Sequence, residues 1–439
     1  MLTGAERQLI LNCARQVMPP EMIRRTQEIL QAPLRWEKIL PAAWQQGVAS
    51  LLYKNVKLLD QREAIPKDAR RKLLQLYHRT AYQNLHLLKA LGELLEGFAW
   101  AGIKVIVLKG PYLAQLVYTD SASRPFLDLD LLIQKEDLAR GRGLLRQTGY
   151  TLLPDLLSER FAPQYHFNLP FVKRGEVTTH LELHWDLTDR FTGYTLDIEG
   201  FWARARPAVL SNQEALVLSP EDLITHLSLH LDMHGYLNRA ILDRGDHLRL
   251  VFDDFSENRL IWFTDLYEVI GFHRGGIDWA ALVERAKRAG TDGSLSTSLS
   301  LLNLLFGLIV GSEIMEGLNP PRSTFAKRKL LKWLMTDFTD SDEGHGPTRT
   351  LLRSKLLAKR RGVQFRLIRL VDVWDYIFSS RDVLRRRYKV TSGRLLGFFY
   401  IIHVSKALAF CAGTSARILF YLLQKKVTGF LARSPSWKV

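Results

Sequence analysis

Apolar positions repeat with a helical period over the first hundred residues, then change to a two-residue alternation in the middle of the chain. Leu87, Leu88, Leu91, Leu94, Leu95 and Phe98 fall at spacings of one, three and four, which gathers them on one helix face. Pro19, Pro20, Pro33, Pro41 and Pro66 divide the preceding stretch into short helices. The pattern predicts an all-helical region over residues 1–100.

After Gly102 the run IKVIVLKG is short, apolar and rich in β-branched residues, which predicts a buried strand. A helical stretch over 111–118 follows, then a second strand over 126–133. Residues 136–148 read as a helix ended by Gly149, with a further strand over 150–153. Over 177–187, His180, Glu182, His184 and Asp186 alternate with Leu181, Leu183, Trp185 and Leu187, as in a strand with one polar and one buried face. From Ser219 the strands stop. Ser219 precedes Pro220 and two acids, a helix start, and helical patterns continue over 260–270, 279–289 and 296–309. The expected class is α+β: a small mixed-sheet core over 101–215, flanked by helices over 1–100, by a helical domain over 216–320 and by a helical C-terminal region over 321–439. Residues 340–348, DSDEGHGPT, read as a surface loop or linker, and no internal repeat is evident.

Composition changes this picture in one respect. With 439 residues, 47% hydrophobic and 24% charged, the chain is of globular type rather than intrinsically disordered. The net charge of +16, however, is unevenly placed. Residues 321–439 hold 25 Lys and Arg against 7 Asp and Glu, whereas residues 1–320 hold 36 against 38. A basic C-terminal region on a near-neutral body predicts contact with an anionic surface or partner. Its apolar run after Arg394 is broken by His403, Lys406 and Arg417, short of the ~18–20 residues of a membrane span. Two readings stay open there, a helix packed on the body or an interfacial helix at a membrane surface. Cys13 and Cys411 cannot build a disulfide framework, and the N-terminus lacks the basic and apolar regions of a secretory signal. The expected location is cytoplasmic, with peripheral membrane contact left open.

The chemistry gathers in Lys109-Gly110, in Asp128-Leu129-Asp130 eighteen residues later, and in Glu182 between Leu181 and Leu183. In a strand, Asp128 and Asp130 project from one face about 6–7 Å apart. Two carboxylates so placed can share divalent cations, and Mg²⁺ prefers a few carboxylates together with water and substrate phosphates.

The stretches VIVLKGPYLAQLVYTDSASRPFLDLDLLI, LELHWDL and SPEDLITHLSLHLDMH resemble the nucleotidyltransferase superfamily that includes DNA polymerase beta, and within it the uncharacterised bacterial nucleotidyltransferase family. The resemblance spans roughly residues 40–290. It implies Mg²⁺, with Mn²⁺ as a substitute, on Asp128, Asp130 and Glu182, and an NTP as substrate. Those three acids would be the catalytic and metal-binding set, with Glu182 also activating an acceptor hydroxyl. Gly110 would let the backbone approach the phosphates. Pro111 follows where the superfamily has a small residue and offers no N–H, so Lys109 or Arg124 would bind phosphate by charge instead. The implied reaction moves an NMP to a hydroxyl of a small molecule, protein, glycan or RNA, with pyrophosphate leaving. A noncatalytic nucleotide- or polyanion-binding protein on the same scaffold is the competing reading.

Three ambiguities remain at this level. Asp186 shares the face of Glu182 and competes for the role of third acid. Arg124 can equally bridge a surface carboxylate, and Lys109 a sheet edge. His226, His230 and His234 recur every four residues on one helix face, one turn after Asp222. They suit core-edge hydrogen bonding or a substrate contact better than the zinc site their spacing also permits.

Overall fold

A computed structural model describes residues 2–59, 65–153, 167–188, 194–233, 259–307 and 309–318. The chain divides into two units, and all of these residues lie in the one comprising 1–153, 166–190 and 194–332. The basic stretch 321–439, with its loop at 340–348, lies outside the described residues.

Five helices come first: α1 (Gly4–Cys13), α2 (Pro20–Leu30), α3 (Trp36–Gln45), α4 (Ala49–Leu59) and α5 (Lys67–Trp100). Pro19, at the N-cap, and Pro20, at the first helical position, begin α2, where a missing N–H costs nothing. Pro41 departs from the expected pattern, because it lies inside α3 instead of separating two helices. The face of α5 predicted to be apolar is buried at Leu87, Leu91, Leu94, Leu95 and Phe98.

Among the described residues, seven strands form one mixed sheet: β1 (Ile106–Val107), β2 (Asp128–Leu132), β3 (Thr151–Leu152), β4 (Asn168–Lys173), β5 (Thr179–His184), β6 (Arg206–Leu210) and β7 (Gln213–Val217), in the order β3-β4-β5-β2-β1-β7-β6. The central pair, β2 and β5, is parallel, and β1 runs antiparallel to β2. The fold is α+β, as the alternation of helical and strand patterns predicts.

Strands β4, β6 and β7 have no counterpart among the predicted elements. Pro170 interrupts β4, and β6 is an edge strand with Pro207 near its start, so neither displays a clean β pattern. The β6–β7 hairpin closes through Ser211 and Asn212, both left-handed at φ 49° and 62°, the two-residue turn that matches strand twist. Gln115 Oε1 accepts the Ser211 N–H at 3.2 Å, which helps to hold this turn.

One face of the sheet is sealed. Leu129, Leu131, Leu169, Phe171, Leu181 and Leu183 are buried there. Helix α7 (Leu138–Gln147) packs so closely that a Cβ on Gly141 would meet Ile133 Cδ1 at 3.0 Å, Phe98 Cε1 at 3.4 Å and Leu183 Cδ2 at 3.5 Å. Because side chains alternate along a strand, closing this face with leucines sends Asp128, Asp130, Glu182 and His184 to the other. Helices α8 (Ile198–Arg204), α9 (Pro220–Met233), α10 (Leu260–Phe272), α11 (Trp279–Ala289), α12 (Asp292–Phe306) and α13 (Ser312–Gly317) complete the described chain.

Candidate metal and nucleotide site

Parallel pairing of β2 and β5 puts Asp130 opposite Glu182, Asp128 opposite His180 and Leu132 opposite His184. Asp130 is fully buried, whereas the Glu182 side chain is 38% exposed and Asp128 is half-buried. The acids therefore form a short gradient from the core to the surface along one sheet face.

Lys109 lies two residues past the end of β1, and its Nζ lies 2.7 Å from Asp130 Oδ2. His184 Nε2 lies 3.2 Å from Asp130 Oδ1 and 3.3 Å from Glu182 Oε2. Asn168 of β4 donates through Nδ2 to Glu182 Oε2 at 2.6 Å. Burial by itself raises the Asp130 carboxyl, but Lys109 and His184 outweigh it and hold Asp130 well below the usual carboxylate range. Asp128 moves the other way, raised by burial and by the adjacent charge of Asp130. Burial disfavours a charged His184, yet its bonds to Asp130 and Glu182 push the imidazole up to about 9.

One ligand atom each from Asp130, Glu182 and His184 lies within 4.8 Å of the others, so the three can hold a metal ion. The chemistry of the residues fits a divalent cation. Two carboxylates, Asp130 and Glu182, meet in a partly buried place with the half-buried Asp128 on the same strand face, where a cation would offset their like charges. A cation held there would supply charge for binding and polarising phosphate oxygens.

The other predicted residues are placed as follows. Gly110 begins the short helix α6 (Gly110–Tyr112), and its missing side chain faces β2: a Cβ would meet Phe126 Cβ at 3.2 Å and the Asp128 carbonyl oxygen at 3.5 Å. A side chain here would need Phe126 to give way by a few tenths of an ångström. Arg124 is buried, and its Nη2 donates to Asp265 Oδ2 of α10 at 2.6 Å while its Nε lies 3.1 Å from Asp265 Oδ1. Tyr118 donates to the same carboxylate at 2.9 Å. The guanidinium thus ties the segment before β2 to α10. Asp186 lies past the end of β5, where its carboxylate accepts the backbone N–H of Leu187 at 2.7 Å as a turn residue. Of the two competing acids, Glu182 is the one beside Asp130.

The three helical histidines separate. His226 is buried with no hydrogen-bond partner among the described residues on either ring nitrogen, His230 packs edge-on against Trp262 at 4.6 Å, and His234 lies outside the described residues. Asp222 is held by Arg204, whose Nε lies 2.8 Å from Asp222 Oδ2. Sequence reasoning assigned no role to His184 or Asn168. His184 carried a signal, since it lies two residues from Glu182 in the same alternation; Asn168 had none, because β4 was not foreseen.

A family profile described as uncharacterised nucleotidyltransferase matches residues 32–307. The chain belongs to that family. The match covers every strand of the sheet and extends from α3 into the helices after α9, so Lys109, the acids, His184 and the Arg124–Asp265 pair all fall inside the nucleotidyltransferase region. No protein with a curated description matches the chain. Among solved structures, the crystal structure of an antigenic nucleotidyltransferase-like protein from Paracoccidioides brasiliensis is similar at 13% identity and a TM-score of 0.29, covering 55% of this chain and 97% of that one. That likeness is too weak to bear on the chemistry. Among the described residues, no helix is long and apolar enough to cross a membrane.

Proposed function

We propose that this chain transfers an NMP from an NTP to a hydroxyl-bearing acceptor, with a divalent cation held at Asp130 and Glu182 and Asp128 beside them. The observation that carries the reading is the register of β2 and β5, which makes Asp130 and Glu182 direct neighbours with Asp128 one step away on the same face. Mg²⁺ is the general expectation for such a reaction, because it binds phosphates and a few carboxylates together. The acceptor oxygen forms a bond to the α-phosphorus, the bond to the bridging oxygen of the β-phosphate breaks, and pyrophosphate leaves. The acceptor's proton passes to Glu182, whose partly exposed carboxylate is oriented by Asn168. Lys109 orients Asp130 through the opposite oxygen from the one facing His184. Gly110 and Arg124 act through packing, one by admitting α6 against β2 and the other by bracing α10.

The acceptor is a small molecule, protein, glycan or RNA, and the +18 of residues 321–439 favours an anionic one or an anionic surface nearby. Incubation with labelled NTPs, Mg²⁺ or Mn²⁺ and cell extract tests the reading: a labelled acceptor and free pyrophosphate are expected, and both disappear in Asp128→Asn. A second reading has one observation in its favour, since Lys109 and His184 already neutralise Asp130. On that reading the protein binds nucleotide or polyanion without turnover, and calorimetry would show metal-dependent NTP binding with no pyrophosphate.

A further inference from the structure

Mg²⁺ prefers an octahedron of oxygens. The donor atoms assembled here are not all oxygen. His184 Nε2 is nearly equidistant from Asp130 Oδ1 and Glu182 Oε2, at 3.2 and 3.3 Å, and all three atoms lie within 4.8 Å of one another. An ion that reaches both carboxylates is therefore also within reach of the imidazole, whose Nε2 gives up its proton to solvent when the ion takes its place. The other oxygen of Asp130 is taken by Lys109, which leaves Oδ1 facing the histidine. This is the usual support for a metal-binding carboxylate, one oxygen on the ion and one oriented by a neighbour.

A second imidazole lies close by. His226 of α9 is only 3% exposed, and neither ring nitrogen has a hydrogen-bond partner among the described residues. It is near enough to Lys109, Asp130 and His184 for their charges to act on it. His184 Nδ1 is also buried without a partner among the described residues. Buried polar atoms are ordinarily satisfied, and exceptions cluster where water, an ion or a ligand belongs. His184 Nε2 between two carboxylates makes a mixed nitrogen and oxygen setting that first-row transition ions accept more readily than Mg²⁺ does.

We propose that Asp130, Glu182 and His184 form a mixed carboxylate–imidazole centre, with His184 as a direct ligand, that takes a first-row transition ion in preference to Mg²⁺. The inference rests on the reading of these acids as the metal site of a nucleotidyltransferase, and it replaces the all-oxygen ligand set with one containing nitrogen.

The test uses the full chain, stripped of metal and titrated separately with Mn²⁺ and Mg²⁺ by calorimetry, with electron spin-echo measurements on the Mn²⁺ form. Mn²⁺ is expected to bind at least about tenfold more tightly than Mg²⁺, and its spin-echo spectrum to show nitrogen-14 coupling from a coordinated imidazole. His184→Gln is expected to abolish that coupling and to weaken Mn²⁺ about 10- to 100-fold. If this variant does not fold, His226→Gln decides instead: nitrogen coupling that survives in it is expected, and coupling that vanishes in it overturns the proposal. Mn²⁺ bound without nitrogen coupling, equal affinity for the two ions, or coupling that survives His184→Gln and vanishes in His226→Gln would each overturn the proposal while leaving NMP transfer standing. Failure of every divalent ion to bind would remove both readings.

Discussion

Lys109, two residues past β1, and Asp130, in the middle of β2, form an ion pair of 2.7 Å, and the aspartate has no exposed surface. Removing the lysine leaves a buried carboxylate with His184 as its one remaining basic partner among the described residues. Lys109→Met should lower stability by about 3 kcal/mol, near the lower end of what breaking one side of a buried pair costs. Saturating divalent cation should restore much of the loss, because it supplies the missing positive charge. Urea denaturation with and without Mn²⁺ checks both parts, and a variant as stable as the parent would show that the pair is not needed.

Asp128 and Glu182 lie on the open side of the site, so their amide variants change charge with little effect on packing. Asp128→Asn and Glu182→Gln should retain the parent melting temperature and lose NMP transfer by roughly 10³-fold, the several kcal/mol that metal-assisted charge stabilisation supplies. Label-transfer rates alongside thermal melts would show it. Turnover within a few-fold of the parent in either variant would count against the proposed reaction.

The pair between Arg124 and Asp265 is buried on both sides, with side-chain exposures of 6% and 1%. Arg124→Met should cost about 3–5 kcal/mol by stranding Asp265, and the double variant Arg124→Met with Asp265→Leu should recover part of that loss. This separates a brace from a phosphate ligand. A brace predicts partial recovery of stability in the double variant, whereas a phosphate contact predicts lost NTP affinity with stability unchanged.

Far from the site, Glu6 caps α1 from within the core. Its carboxylate accepts Arg35 Nε at 2.8 Å and Arg35 Nη2 at 2.7 Å, together with the Thr3 N–H at 2.7 Å. The Arg35 guanidinium, acting against burial, lowers this group from 4.5 to about 2. The folded value lies below the unfolded one, so the stabilisation is complete above pH 4.5 and disappears as pH falls through 2. Glu6→Gln should lose roughly 1–3 kcal/mol at neutral pH and flatten that limb of the stability curve. Equilibrium unfolding between pH 2 and 7 measures it, and parallel curves for the two proteins would refute the assignment.

Much of the fold was legible in local periodicity. The apolar stripe from Leu87 to Phe98 is the buried face of α5, and the alternation around Glu182 is β5. The acids were legible too, because Leu129 and Leu131 must enter the core and thereby turn Asp128 and Asp130 outward. Strands β4, β6 and β7 were not, since prolines and partial exposure blur their alternation, and Asn168 went unread with β4.

By itself the sequence determined which residue types share a strand face and the order in which Lys109, the aspartates and Glu182 occur. Tertiary structure alone decided that Glu182 rather than Asp186 meets Asp130, that His184 joins them, and that Arg124 turns to Asp265. The physical reason is range. Side-chain alternation is a property of neighbours in the chain, whereas the β2–β5 register joins residues some fifty positions apart, with Ile133 and Leu183 converging on Gly141 of α7 beside Phe98 of α5.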